Sequence, residues 1–139
     1  KIVLADGQEA EDLKVYLSAY KPGSTEIDVY ARIQNPEDSD EFRDKHYTKL
    51  NQLSPANTIS SVVNKNNFVE LEYGFPSVNA TSLGAYKNSA NGGVVRYYNS
   101  SNAHFDTYKY FSLKIVLRSS AGSHLVPRIK DLRAIALQV

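Results

Sequence analysis

Two-residue alternation of apolar and polar side chains, at both ends of the polypeptide, constrains this chain more than any other feature. Leu13, Val15, Leu17 and Ala19 alternate with Lys14, Tyr16, Ser18 and Tyr20. Successive side chains of an extended strand point to opposite faces, so this period predicts a half-buried strand over 12–20. Lys21-Pro22-Gly23-Ser24 then reads as a turn, because Pro presets one φ and Gly permits a positive φ at the next position. A second run sets Ile27, Val29, Ala31 and Ile33 against Asp28, Tyr30, Arg32 and Gln34. Together the two runs read as an antiparallel pair joined by a short loop. Near the other end, Leu113, Ile115 and Leu117 alternate with Lys114, Val116 and Arg118. The closing stretch Leu132–Leu137 is apolar on both faces except at Arg133, which predicts a strand buried in the core.

Between these ends the signals are weaker. Residues 35–40 form a polar, acidic loop. Glu41–Leu53 has only a partial helical stripe, Phe42, Tyr47, Leu50 and Leu53, and reads as a short helix or an irregular excursion. Strand character returns over Phe68–Phe75 and Val94–Tyr98. The segment 76–91 is rich in Ser, Asn, Gly and Ala; Asn91-Gly92-Gly93 and 99–102 are turns, and 119–123 is a loop. About seven short strands without a long helix predict an all-β protein: an antiparallel β-sandwich or jelly roll occupying residues 1–139 as one domain.

The chain has 139 residues, 42% hydrophobic and 22% charged, enough for one buried core. It begins at Lys1 and contains no Met, which predicts a piece of a longer polypeptide or a processed one. With no Cys, disulfides, thiolate metal sites and a cysteine nucleophile are excluded. A formal charge of +1 gives no global attraction to nucleic acid or to an anionic membrane, and neither is expected as a partner. The charges are segregated, however. Residues 1–44 hold eleven acids against five bases, whereas beyond Thr107 six bases face Asp131 alone. Ion pairs between the two ends of the chain would account for this; so would separate acidic and basic docking faces.

Catalysis requires a reactive group with an activating partner. His46, His104 and His124 fall in polar loops and lack zinc-site spacing. There is no nucleophile elbow and no phosphate-binding loop, since Gly92-Gly93 leads into a strand. The expectation is a non-enzymatic domain without a cofactor. The acidic loop Glu37, Asp38, Asp40 offers clustered oxygen ligands for a calcium ion, although not with EF-hand spacing. Asn79-Ala80-Thr81 and Asn99-Ser100-Ser101 match the glycosylation pattern and read as chance matches. Leu125-Val126-Pro127-Arg128 resembles a protease site used in expression tags, but it runs on into Ile129-Lys130-Asp131 and reads as native.

Ten tyrosines and no tryptophan make an unusual aromatic set. Tyr16, Tyr20 and Tyr30 share the outward register of the first two strands, while Tyr97 and Tyr98 belong to a later cluster with Tyr108 and Tyr110. Tyrosine combines a large apolar face with a polar tip, which suits interfaces. Tyr16, Tyr20, Tyr30, Tyr97 and Tyr98 are therefore candidate protein-interaction residues, with ordinary sheet cover and glycan stacking as the competing readings.

Two segments carry a family resemblance. One is Phe-Ser-Leu-Lys-Ile-Val-Leu-Arg-Ser-Ser from Phe111, together with Val-Pro-Arg-Ile-Lys-Asp-Leu-Arg-Ala-Ile-Ala-Leu-Gln ending at Gln138. The other is Asp-Leu-Lys-Val-Tyr-Leu-Ser-Ala-Tyr-Lys-Pro-Gly from Asp12, followed by Ile-Asp-Val-Tyr-Ala-Arg from Ile27. They resemble a recurrent domain of tail and baseplate structural proteins of contractile-tailed phages; the middle of the chain, 54–102, contributes little to the likeness. The resemblance implies a galactose-binding-like jelly roll on a virion protein, assembled in the host cytoplasm, whose partners are other tail or baseplate subunits in many copies. It implies no catalytic residues. The alternative is a carbohydrate-binding module for a host surface glycan. A shared scaffold does not by itself establish sugar binding.

Overall fold

The alternating runs are strands in a computed structural model, which describes residues 1–77, 84–120 and 124–139. In chain order these are β1 (Ile2–Val3), β2 (Asp12–Tyr20), β3 (Thr25–Gln34), β4 (Thr48–Lys49), β5 (Asn51–Gln52), β6 (Val69–Gly74), β7 (Tyr86–Asn88), β8 (Val94–Tyr98), β9 (His104–Phe105), β10 (Tyr110–Ser119) and β11 (Arg128–Leu137). The protein is an all-β sandwich. One four-stranded sheet has the order β1-β10-β3-β4 and the other β11-β2-β6-β5, with every pairing antiparallel. A three-stranded sheet, β7-β8-β9, lies where β2 begins, tied there by the Val95 amide donating to the Glu11 carbonyl. Gly92 and Gly93 both have positive φ, so the turn into β8 needs residues without a Cβ.

The core forms as the alternation requires. Leu13, Val15, Leu17 and Ala19 of β2 meet Ile27, Val29, Ala31 and Ile33 of β3, with Leu71 and Tyr73 of β6, and all are buried. Each of the larger side chains contributes about 1.5–3 kcal/mol by leaving water.

Two expectations need correction, and between two alternatives for 41–53 the structure takes the irregular one. β2 and β3 are not a paired hairpin: the turn at 21–24 carries the chain from one sheet to the other, pinned by Lys21 and Ser60 exchanging backbone and side-chain hydrogen bonds. Alternation determines which side chains face inward but does not choose the neighbouring strand. The excursion 41–53 is a single 3-10 turn, Phe42–Asp44, followed by β4 and β5 on either side of buried Leu50. Its partial stripe lacked the period a helix needs to bury one face. Finally, β11 is an edge strand and mostly exposed, with a register shift between Ile129 and Asp131. Apolar side chains on both faces had suggested a central position, yet Leu132 is 48% exposed.

The connection β4–β5 aligns the sandwich. It leaves one sheet and enters the other within five residues, closing that side. β3 then lies over β6, where the Tyr73 hydroxyl donates to the Ile27 carbonyl at 3.0 Å. The residues leading into β10 lie over the start of β2, where the Tyr108 hydroxyl donates to the Asp12 carbonyl at 2.7 Å. β1 and β11 are left to face each other on the opposite side.

The segregated charges pair in part between the chain ends. Arg118 meets Asp28 at 2.8 Å and Lys109 meets Asp6 at 3.5 Å.

Candidate interaction surfaces

The outer face of the β3–β10 sheet carries a row of interleaved rings and cations. In antiparallel register Tyr30 pairs with Lys114, Arg32 with Ser112 and Gln34 with Tyr110, so their outward side chains form neighbouring rungs. The 42–47 excursion lays Phe42 and Tyr47 across them. Arg32 stands 4.7 Å from the ring centroids of both Phe42 and Tyr47. Lys114 stands 5.0 Å from Tyr30 and 5.3 Å from Tyr47, and Lys1 stands 4.5 Å from Tyr110. Each contact is worth roughly 0.5–1 kcal/mol at an exposed site and holds an aromatic in a defined pose. Arg32 also donates to the Arg43 carbonyl and to Ser112 Oγ, and Tyr47 Oη lies 3.1 Å from Ser112 Oγ. Beside this row, Tyr30, Tyr47, His46, Lys49 and Pro76 line a groove of about 310 Å³.

Tyr16, Tyr20 and Tyr30, which share an outward register in the sequence, do not form one face. Tyr16 and Tyr30 are half-buried on opposite outer faces, because β2 and β3 belong to different sheets. Tyr16 lies under the Arg133 guanidinium at 5.2 Å. Tyr20 is buried beneath Arg128, at 5.1 Å, and is unavailable to a partner; its hydroxyl has no hydrogen-bond partner among the described residues. Tyr97 is buried too. Only Tyr98 of that pair reaches the surface, with the exposed His104 edge-on at 6.0 Å. Sequence reasoning missed Arg32, Phe42, Tyr47 and Lys114. Arg32 was legible as the outward neighbour of Tyr30, but nothing in the sequence said where the 41–53 excursion would land.

The acidic loop is a structural clasp. Asp38 is buried with Lys45 Nζ at 2.6 Å, and it also accepts from Tyr97 Oη at 3.1 Å and Asn99 Nδ2 at 3.3 Å. Asp40 accepts from the Ser100 amide at 2.9 Å and hydroxyl at 2.5 Å, which, together with Lys45, hold its carboxyl below the usual range. Burial pushes the Tyr97 phenol upward. Glu37, the third residue proposed for calcium, is exposed. The two inner carboxylates thus already share an ammonium group, and among the described residues no set of three or more His, Asp or Glu side chains is placed to hold a metal ion. Asn99 is buried, with its side chain engaged by Asp38 and by the Ser101 and Ala103 amides, which does not suit a glycan acceptor. Asn79-Ala80-Thr81 lies outside the described residues, as do parts of the loops expected over 76–91 and 119–123. His46 and His124 are also exposed.

Comparison with known families, with characterised proteins and with solved structures finds no match for this chain.

Proposed function

We propose that this chain is a non-enzymatic interaction domain that docks a larger assembly onto the outer face of its β3–β10 sheet. The observation that carries this reading is the row Tyr110, Phe42, Arg32, Tyr47, Lys114 and Tyr30, in which Lys1, Arg32 and Lys114 stand within 5.0 Å of the ring centroids. Aromatic and Arg anchors held in fixed poses lose little entropy on binding and dominate protein interfaces. The residues of the two terminal motifs support a phage tail or baseplate subunit of jelly-roll ancestry as the setting, with many copies making weak single contacts sufficient. The test is incorporation into tail particles of the full protein carrying Tyr30→Ala, Arg32→Ala and Tyr47→Ala. We expect at least tenfold lower incorporation, with the thermal midpoint lowered but the chain still cooperatively folded at the assembly temperature. Wild-type incorporation would contradict the proposal.

The second reading, a glycan site, is favoured by the Tyr30–Tyr47 groove, where two rings flank His46 and Lys49. A glycan array probed with wild-type protein and with Tyr47→Ala separates the two: loss of a specific hit in the variant would support sugar recognition.

A further inference from the structure

The clasp between residues 38 and 45 holds an amine and a carboxyl together out of water. Lys45 Nζ lies 2.6 Å from Asp38 Oδ2, and the two side chains are 8% and 0% exposed. The Tyr97 ring covers the ammonium at 4.9 Å. Its hydroxyl donates to Asp38 Oδ2 at 3.1 Å, while Asn99 Nδ2 and the Asp40 amide donate to Oδ1 at 3.3 and 3.0 Å. A second carboxylate oxygen, Asp40 Oδ2, stands 3.3 Å from the same Nζ. Ser100 fixes that carboxylate and holds its carboxyl below the usual range, which keeps it an ionised proton acceptor. Burying an ion pair is costly because both charges leave water. Joined as an amide, the same two groups carry no charge.

We propose that Lys45 and Asp38 condense into an intramolecular amide, with Asp40 as the catalytic base. One ammonium proton passes to Asp38 Oδ2 along the 2.6 Å contact, leaving a neutral amine against a carboxylic acid. Nζ then bonds to Asp38 Cγ. Negative charge gathers on Oδ1, where the Asn99 side-chain amide and the Asp40 backbone N–H donate as an oxyanion hole does. Asp40 takes a second proton from Nζ and returns it to the Oδ2 hydroxyl. The Cγ–Oδ2 bond breaks and water departs, with the Tyr97 hydroxyl donating to the leaving oxygen. An ammonium and a carboxylate thus give an amide and one water, and the step needs no other reactant. Groups held in attack geometry react as though at about 10⁵ M or more. Exclusion of water hinders the reverse hydrolysis. The bond closes a ring over residues 38–45, which contain the Phe42–Asp44 turn, and so fixes the excursion that carries Phe42 onto the outer sheet. It stands or falls independently of any docking partner.

The test is the intact mass of the 139-residue chain, purified and then denatured. Expected is a mass one water below that of the sequence. Trypsin should release residues 33–43 joined to residues 44–49 and uncleaved after Lys45, because an acylated lysine is not a trypsin site. Lys45→Arg keeps the positive charge without the amine nucleophile, and should show its full mass and separate peptides. In protein sampled at intervals after a pulse of synthesis, Asp40→Asn should lose the water at least tenfold more slowly than the wild type, since a positioned base contributes about 10²–10⁴-fold. A wild-type chain that keeps its full mass through prolonged incubation in the folded state would overturn the proposal, and that measurement requires no variant to fold. So would an equal loss of water from Lys45→Arg, which places the dehydration elsewhere. So would an Asp40→Asn chain that matches the wild type in circular dichroism and reacts at the same rate.

Discussion

The two lateral sides of this sandwich are built from the same kind of sequence and end in opposite states. On one side the chain steps from β4 to β5 through Leu50, which is 2% exposed, and joins the sheets covalently. On the other, β10 alternates as β2 and β3 do and both β10 and β11 are as long, yet Leu117 and Leu132 on their inner faces are 45% and 48% exposed. Alternation therefore decides the orientation of a side chain, and strand order decides its burial. An edge strand obeys the pattern as faithfully as a central one.

Truncations probe that difference most strongly. Leu17→Ala at the centre and Leu50→Ala on the closed side should each cost roughly 2–5 kcal/mol in urea unfolding, because they leave cavities in packed surroundings. Leu117→Ala and Leu132→Ala should cost less than about 1.5 kcal/mol, since much of each side chain is already hydrated. Equal losses at all four positions would break the comparison.

Acid should loosen the end of the molecule near β7–β9. Asp106, bonded by Arg96 at 2.7 Å, and Asp40, bonded by Ser100, both titrate below their unfolded values. Their stabilisation is present above the unfolded carboxylate range, about pH 4, and is lost as pH falls through the lowered folded values. Thermal midpoints between pH 7 and pH 3 should fall less steeply for Asp106→Asn than for the wild type, from a lower starting point.

The smallest effect is expected at Tyr20, on the open side beneath Arg128. Its buried hydroxyl has no partner among the described residues, so Tyr20→Phe removes an unmet desolvation cost. Unfolding should be unchanged or up to about 1 kcal/mol more favourable to the folded state. A loss above that would mean the hydroxyl is satisfied in solution.

Much of the fold was legible in residue order. The runs at 12–20, 27–34 and 113–118 gave both inner faces, and Asn91-Gly92-Gly93 gave a turn whose two glycines adopt positive φ. Strand partners were not legible, because a turn such as Lys21–Ser24 serves a hairpin and a sheet crossing alike. The site was half legible. Tyr30 was readable from register, whereas Tyr47 and Phe42 reach it from an excursion with no period of its own. Tyr97 carried the same composition signal but is spent on holding Asp38.

Native-state amide exchange along β10 tests the open side most directly. Between Ser112 and Ser119, amides directed at β3 should exchange slowly, and the intervening amides on the edge that no strand among the described residues pairs should exchange at rates near those of exposed loops, giving a two-residue alternation. Uniform slow exchange along the strand would show that its outer edge is already covered, and the sandwich would have no open side.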